Sequence, residues 1–121
     1  SNFKHIETII EKHKQNAEYY NKELNNIENI ELICNKDNDP SYWIYTLKVK
    51  NQKRFMDMME SKGIMVSRIH ERNDKHSCVS KYKTKLPNLD RLVNEMICIP
   101  VGWWLSKEDK EYIVKCIKEG W

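Results

Sequence analysis

Glycine is scarce in this chain: among 121 residues only Gly63, Gly102 and Gly120 are glycine, and they lie far apart. A phosphate-cradling loop needs several glycines close together, so nothing here supports a dinucleotide-binding or P-loop fold. The four cysteines, Cys34, Cys78, Cys98 and Cys116, form no C-x-x-C pair, which leaves zinc-ribbon and thioredoxin-like readings without support. Cys98 and Cys116 lie among apolar residues and are expected as small core side chains. With no secretion signal, all four are expected to be reduced thiols in a cytoplasm. No apolar run approaches the roughly 20 residues that span a bilayer. Lys4, His5, Glu7 and Glu11 break up the apolar positions that a signal peptide would need. The charge imbalance is small too, 21 basic against 18 acidic residues, and implies neither a nucleic-acid nor a membrane partner. Ser77 and Ser80 stand near His76, but no G-x-S-x-G turn frames either. The lysines fall on helix faces or in polar loops, where nothing prepares an amine for covalent catalysis. No catalytic residue is therefore expected.

What is present is the composition of a soluble globular protein, 40% hydrophobic and 32% charged, in one domain spanning 1–121. Phe3, Ile6, Ile9, Ile10, His13, Ala17, Tyr20 and Leu24 recur at three- and four-residue steps, which predicts an amphipathic helix of about six turns. Ile30 to Ile33 reads as a short strand, and Asn35 to Pro40 as a loop rich in Asn and Asp. Tyr42 to Lys50 is the clearest strand, with Trp43, Tyr45, Leu47 and Val49 expected towards the core. Gln52 to Lys62 reads as a helix with Phe55, Met58 and Met59 inside and Gly63 closing its end. Ile64 to Ile69 reads as another strand, followed by a long polar stretch without period.

Leu89, Leu92 and Val93 have helical spacing within Asn88 to Met96. Ile97 to Ile99 is a strand stopped by Pro100. Ser106 suits the N-cap of a last helix whose inner face is Ile113, Cys116 and Ile117, with acidic residues in its first turn. The methionines at 56, 58, 59, 65 and 96 are expected to pack, and His5 and His13 to be structural or on the surface. The order predicts a two-layer α+β domain: a short, largely antiparallel sheet with helices mainly on one face.

The most polar cluster runs from Ser67 to Ser77 (SRIHERNDKHS), directly after a predicted strand. Arg grips a phosphate with two parallel bonds, His donates one more, and Asn suits sugar hydroxyls. A phosphate-and-sugar ligand fits this donor set. A solvated loop of mixed charge fits it as well, since Glu71 and Asp74 offset two cations. His70, His76 and Cys78 match no standard zinc spacing, and the paired strands of a His-and-Asn metal nuclease are not evident, so no metal is expected. Trp103 and Trp104 follow Gly102 and point in different directions. They form either a ligand wall or subunit contact, or part of a hydrophobic staple in which Leu105 packs on the last helix.

From Gly63-Ile64 through Ser67-Arg68-Ile69-His70-Glu71-Arg72-Asn73-Asp74-Lys75-His76-Ser77 the chain resembles the DegT/DnrJ/EryC1/StrS family of pyridoxal-phosphate-dependent sugar aminotransferases. Leu86-Pro87, Asp90, Ile97 to Asp109 and Tyr112-Ile113 look like the closing segment of the same family. Asn16-Ala17-Glu18-Tyr19-Tyr20 and Leu24 look like its linking helix, and Tyr42 to Tyr45 like the first main strand of its small domain. The resemblance implies the carboxy-terminal small domain of an aspartate-aminotransferase-type (fold type I) enzyme. The large domain, with its cofactor-binding lysine, would lie outside these residues.

It also implies a nucleotide-linked keto-sugar as substrate, a homodimer in the intact enzyme, and pyridoxal phosphate held there but not by this chain alone. His70, Arg72, Asn73 and His76 stand where the family has its substrate loop. Many members carry a tyrosine and a proline after the first His, where this chain has Glu71-Arg72-Asn73. The alternative is a stand-alone module that binds a sugar nucleotide or a protein without catalysis.

Overall fold

The computed structural model describes residues 2–33 and 38–121. Cys34 and the loop positions Asn35, Lys36 and Asp37 lie outside the described residues. A 3-10 turn (Asn2–His5) leads into helix α1 (Ile6–Glu23). Strand β1 (Ile30–Leu32) and strand β2 (Tyr45–Val49) follow, then helix α2 (Gln52–Ser61). Two further 3-10 turns (Asn73–Lys75 and Ser77–Tyr82) precede helix α3 (Pro87–Glu95). Strand β3 (Met96–Ile99) and helix α4 (Lys107–Lys118) complete the order.

The sheet has the order β1-β2-β3 and is antiparallel throughout. The register pairs Tyr45 with Ile99 and Leu47 with Ile97, so these four side chains share one face. That face is buried together with Val49, with Ala17, Tyr20 and Leu24 of α1, with Phe55 and Met59 of α2, and with Ile113, Val114, Cys116 and Ile117 of α4. The expected two-layer α+β arrangement is thus present. Thr46, Lys48, Met96 and Cys98 take the opposite face, where the Gln52 amide donates to the carbonyls of Val93 and Met96.

Two helix ends show how local sequence sets the frame. Gly63 has φ +74°. Its N–H donates to the Glu60 carbonyl, and the Ile64 N–H reaches back to Met59, both at 2.9 Å. These are the two bonds of a Schellman motif, and the left-handed position suits a residue without Cβ. At α4, Ser106 Oγ accepts from the Asp109 N–H at 3.0 Å, and the Asp109 carboxylate accepts from the Ser106 N–H at 3.0 Å. This capping box satisfies two orphan backbone donors, and the Ser106 hydrogen bonds hold the Asp109 carboxyl below the usual carboxylate range.

Four expectations fail. Ile64 to Ile69 forms no strand: its one pairing is the bridge between Ser67 and Cys98, with N–H···O distances of 3.1 and 2.9 Å. Trp43 is not in the core but 67% exposed. The strand begins only at Tyr45, after Tyr42 takes a left-handed conformation at φ +51°, and the alternation does not extend back through that turn. Met65 is 85% exposed because it points away from the buried Ile64 beside it. Phe3 and Ile6, at the start of the α1 stripe, are also exposed. The stripe is buried only where the sheet and α4 lie against it.

Candidate functional site

An open groove of about 410 Å³ runs beside β3. Its floor is apolar, from Ile44, Ile99 and Val101, and Trp43, Trp104 and Met65 stand on its walls. Both indoles are 67% exposed. Trp103 does not border the groove; it is half-exposed and meets Trp104 edge-on, ring centres 6.2 Å apart. Leu105 is half-buried against the core. Trp104 thus lines the groove, Trp103 backs its ring, and Leu105 packs against the core ahead of α4.

Gly102 explains how the Trp104 indole lies so close to the backbone. A Cβ at this position would come within 2.2–2.4 Å of three indole carbons. Only glycine leaves the ring room to lie there.

The polar segment continues from the groove, since Ser67 and Ile69 line it and His70 follows directly. His70, Asn73 and His76 are exposed, and among the described residues their side chains make no hydrogen bond. Arg72 is different. Its side chain is only 11% exposed. Its Nε donates to Asp74 Oδ1 at 2.8 Å, Nη2 donates to Asp74 Oδ2, and Nη1 reaches Asp90 on α3. The hydrogen bond to Asp74 raises the Arg72 pKa and holds the Asp74 carboxyl below the usual carboxylate range. The four candidate side chains thus differ in their partners. Three are open to a ligand, while the guanidinium already binds two carboxylates. Lys75 is paired with Glu71, whose carboxyl it holds low.

Among the described residues no three His, Cys, Asp or Glu side chains gather as a metal site would require. Nor does the groove suit pyridoxal phosphate. That cofactor asks for a lysine within covalent reach and a cup of donors for its phosphate. No lysine lines the groove, and Ser67 and Cys98 are the polar side chains among its described lining. This geometry can stack or pack against a ligand and offer hydrogen bonds from its rim.

Three further side chains that hold the backbone beside the groove lie on α1. His13 Nδ1–H donates to the Tyr42 carbonyl at 2.8 Å, Asn16 Nδ2 donates to the carbonyls of Val101 and Gly102, and Tyr20 Oη–H donates to that of Pro100. The signal was present: Asn16 is a polar residue set into the apolar stripe between His13 and Tyr20. Burial, with a lesser contribution from Tyr19, raises the Tyr20 pKa strongly, so its phenol stays a donor.

The sequence matches the model of the DegT/DnrJ/EryC1/StrS aminotransferase family over residues 1–118. Among solved structures it is similar to the sugar aminotransferase CalS13 of Micromonospora echinospora, with 40% identity and a TM-score of 0.95, covering 99% of this chain and 33% of that one. It is similar to AtS13 of Actinomadura melliaura at 38% identity and TM-score 0.95, covering 99% and 32% respectively. DesV of S. venezuelae is 15% identical with a TM-score of 0.88 over 95% of this chain and 32% of that one, a likeness of fold alone. No match was found among curated protein sequences. The chain spans about a third of the length of the solved aminotransferases it matches.

Proposed function

Since this chain belongs to the DegT/DnrJ/EryC1/StrS aminotransferase family, we propose that it is the carboxy-terminal domain of a pyridoxal-phosphate-dependent aminotransferase acting on a nucleotide-linked keto-sugar. The observation that carries the reading is the match of 99% of the chain, at 40% identity, to one third of a sugar aminotransferase. The cofactor and its lysine belong to the two thirds that this chain does not span. When bound there, pyridoxal phosphate supplies the electron sink for nitrogen transfer. This chain supplies the substrate side.

His70, Asn73 and His76 offer donors and acceptors to the sugar and phosphates, and their exposure supports that role. Arg72 takes part by exchanging a carboxylate for a phosphate, because both anions fit its planar fork. The exposed apolar side chains Phe3 and Ile6 belong to the surface that the cofactor-holding domain, in its own subunit or in a homodimer, covers, and the groove between Trp43, Met65 and Trp104 faces the substrate. No helix among the described residues is long and apolar enough to cross a membrane, and the site of action that agrees with nucleotide-sugar chemistry is the cytoplasm.

A domain graft tests this. Replacing the corresponding third of the Micromonospora echinospora enzyme with this chain is expected to give a cofactor-loaded, active aminotransferase. A soluble, cofactor-loaded graft that never turns over would count against the reading. The stand-alone module predicts instead that the isolated chain binds nucleotide sugars saturably in calorimetry and that Arg72→Ala abolishes the binding. The fragment reading predicts no such binding.

A further inference from the structure

The backbone that carries the groove's walls belongs to no regular element. The Pro100–Gly102 stretch follows β3, and Tyr42 precedes β2. Their carbonyls have no ladder partners; that of Gly102 accepts locally from the Leu105 N–H at 3.1 Å, and the remaining acceptor capacity in such a place needs donors from elsewhere. One helix provides them. Tyr20 donates to Pro100 at 2.9 Å, and Asn16 Nδ2 donates to Val101 at 3.1 Å and to Gly102 at 2.9 Å. Three successive carbonyls are thus held by two side chains of α1.

One turn earlier, His13 holds the Tyr42 carbonyl and sets its ring edge-on to Trp104, centroids 6.4 Å apart. Positions 13, 16 and 20 share one helix face. They grip the residue before Trp43 and the residues leading to Trp104.

Asn16 is the centre of this arrangement. It is 4% exposed. Its Nδ2 serves two carbonyls, and its Oδ1 accepts from Lys110 Nζ of α4 at 2.7 Å. A buried amide is costly unless its hydrogen bonds are made, and three are made here. Apart from glutamine, no side chain offers two N–H donors on one nitrogen beside a neutral acceptor.

We infer that Asn16 is the positioning residue of the groove: by holding the Val101 and Gly102 carbonyls it sets where Trp104 stands relative to Trp43. The inference deepens the proposed function, in which the groove faces substrate, but its geometric half stands without any substrate.

The test uses the 121-residue chain labelled with 5-fluorotryptophan, its four fluorine resonances assigned by single Trp→Phe changes. Asn16→Asp is isosteric and keeps the acceptor for Lys110, yet loses both N–H donors. The Trp104 resonance is expected to move towards its position in Gly102→Ala, in which the indole is pushed directly. Trp121 packs on Phe55 at 4.9 Å, away from the groove, and should stay. A folded variant with Trp104 unmoved overturns the inference. So does equal movement of all four resonances, which would make Asn16 a general core residue. If the aspartate variant does not fold, the uncharged Asn16→Ala, which also removes both Nδ2 donors, decides by the same two criteria.

In the active graft, Asn16→Asp should raise KM for the sugar nucleotide about tenfold, the equivalent of one lost hydrogen bond, with cofactor loading unchanged. An unchanged KM there overturns the half of the inference that ties the groove to substrate. An inactive parent graft, by contrast, defeats the proposed function and leaves the fluorine result standing.

Discussion

Replacing Gly102 by alanine separates the stability of the domain from the shape of its groove. The backbone at this position is not in the left-handed region that penalises a Cβ, so the main chain accepts alanine. The obstacle is the Trp104 indole, with carbons at 2.2, 2.3 and 2.4 Å from the new methyl. Ordinary carbon contacts begin near 3.5 Å, so the ring must retreat by about 1 Å or more. The indole is 67% exposed and can swing outward without moving the core. Its edge contact with the His13 ring is then weakened, at about 0.5–1.5 kcal/mol. Alanine also narrows the unfolded ensemble, which offsets about 0.4–1 kcal/mol.

The expected net change is within about 1 kcal/mol of zero, while the groove loses one wall. Urea unfolding followed by circular dichroism reads the first quantity, and acrylamide quenching of Trp104, by difference from Trp104→Phe, reads the second. Unaltered quenching would refute the close approach of indole and glycine. A loss of about 3 kcal/mol or more would show that the ring cannot move, against the exposure on which the estimate rests.

Ser106→Ala removes the cap of α4 and should cost about 1 kcal/mol, lowering Tm by roughly 4 °C; an unchanged melting curve would show that the capping box contributes nothing. The Arg72 latch predicts a direction in pH. Asp74 has a depressed folded pKa, so its contribution is fully present above the unfolded value of about 3.9 and is lost as pH falls through the lower folded value. The Arg72 Nε–H resonance should therefore be the same at pH 7 and pH 5 and change only below about pH 4. A transition between pH 5 and 6 would contradict the ion pair.

The helices and the sheet were largely legible because periodicity reports which face an element buries. Leu47, Val49, Phe55, Ile97 and Ile117 are all inside, as their spacing requires. Trp43 lies outside the core because residues 43 and 44 form a bend, so the alternation of β2 starts only at Tyr45. Ile64 to Ile69 has the composition of a strand, but β3 offers it a partner only at Cys98. The polar segment stands out by its composition, but the partner of Arg72 does not. Asp90 lies 18 residues further on, and only the fold brings α3 to it. Asn16 is legible as part of a family-like helix, while its task is defined by carbonyls 85 and 86 positions away.

The central claim is that the chemistry of the family is carried out elsewhere and that this domain presents the substrate. It is tested most directly by incubating the 121-residue chain with pyridoxal phosphate and an amino donor, reducing with borohydride, and mapping the labelled lysines by mass spectrometry. The account predicts scattered, substoichiometric labelling and no conversion of the cofactor by the donor. One lysine labelled to a full equivalent, with amino-group transfer to the cofactor, would contradict it.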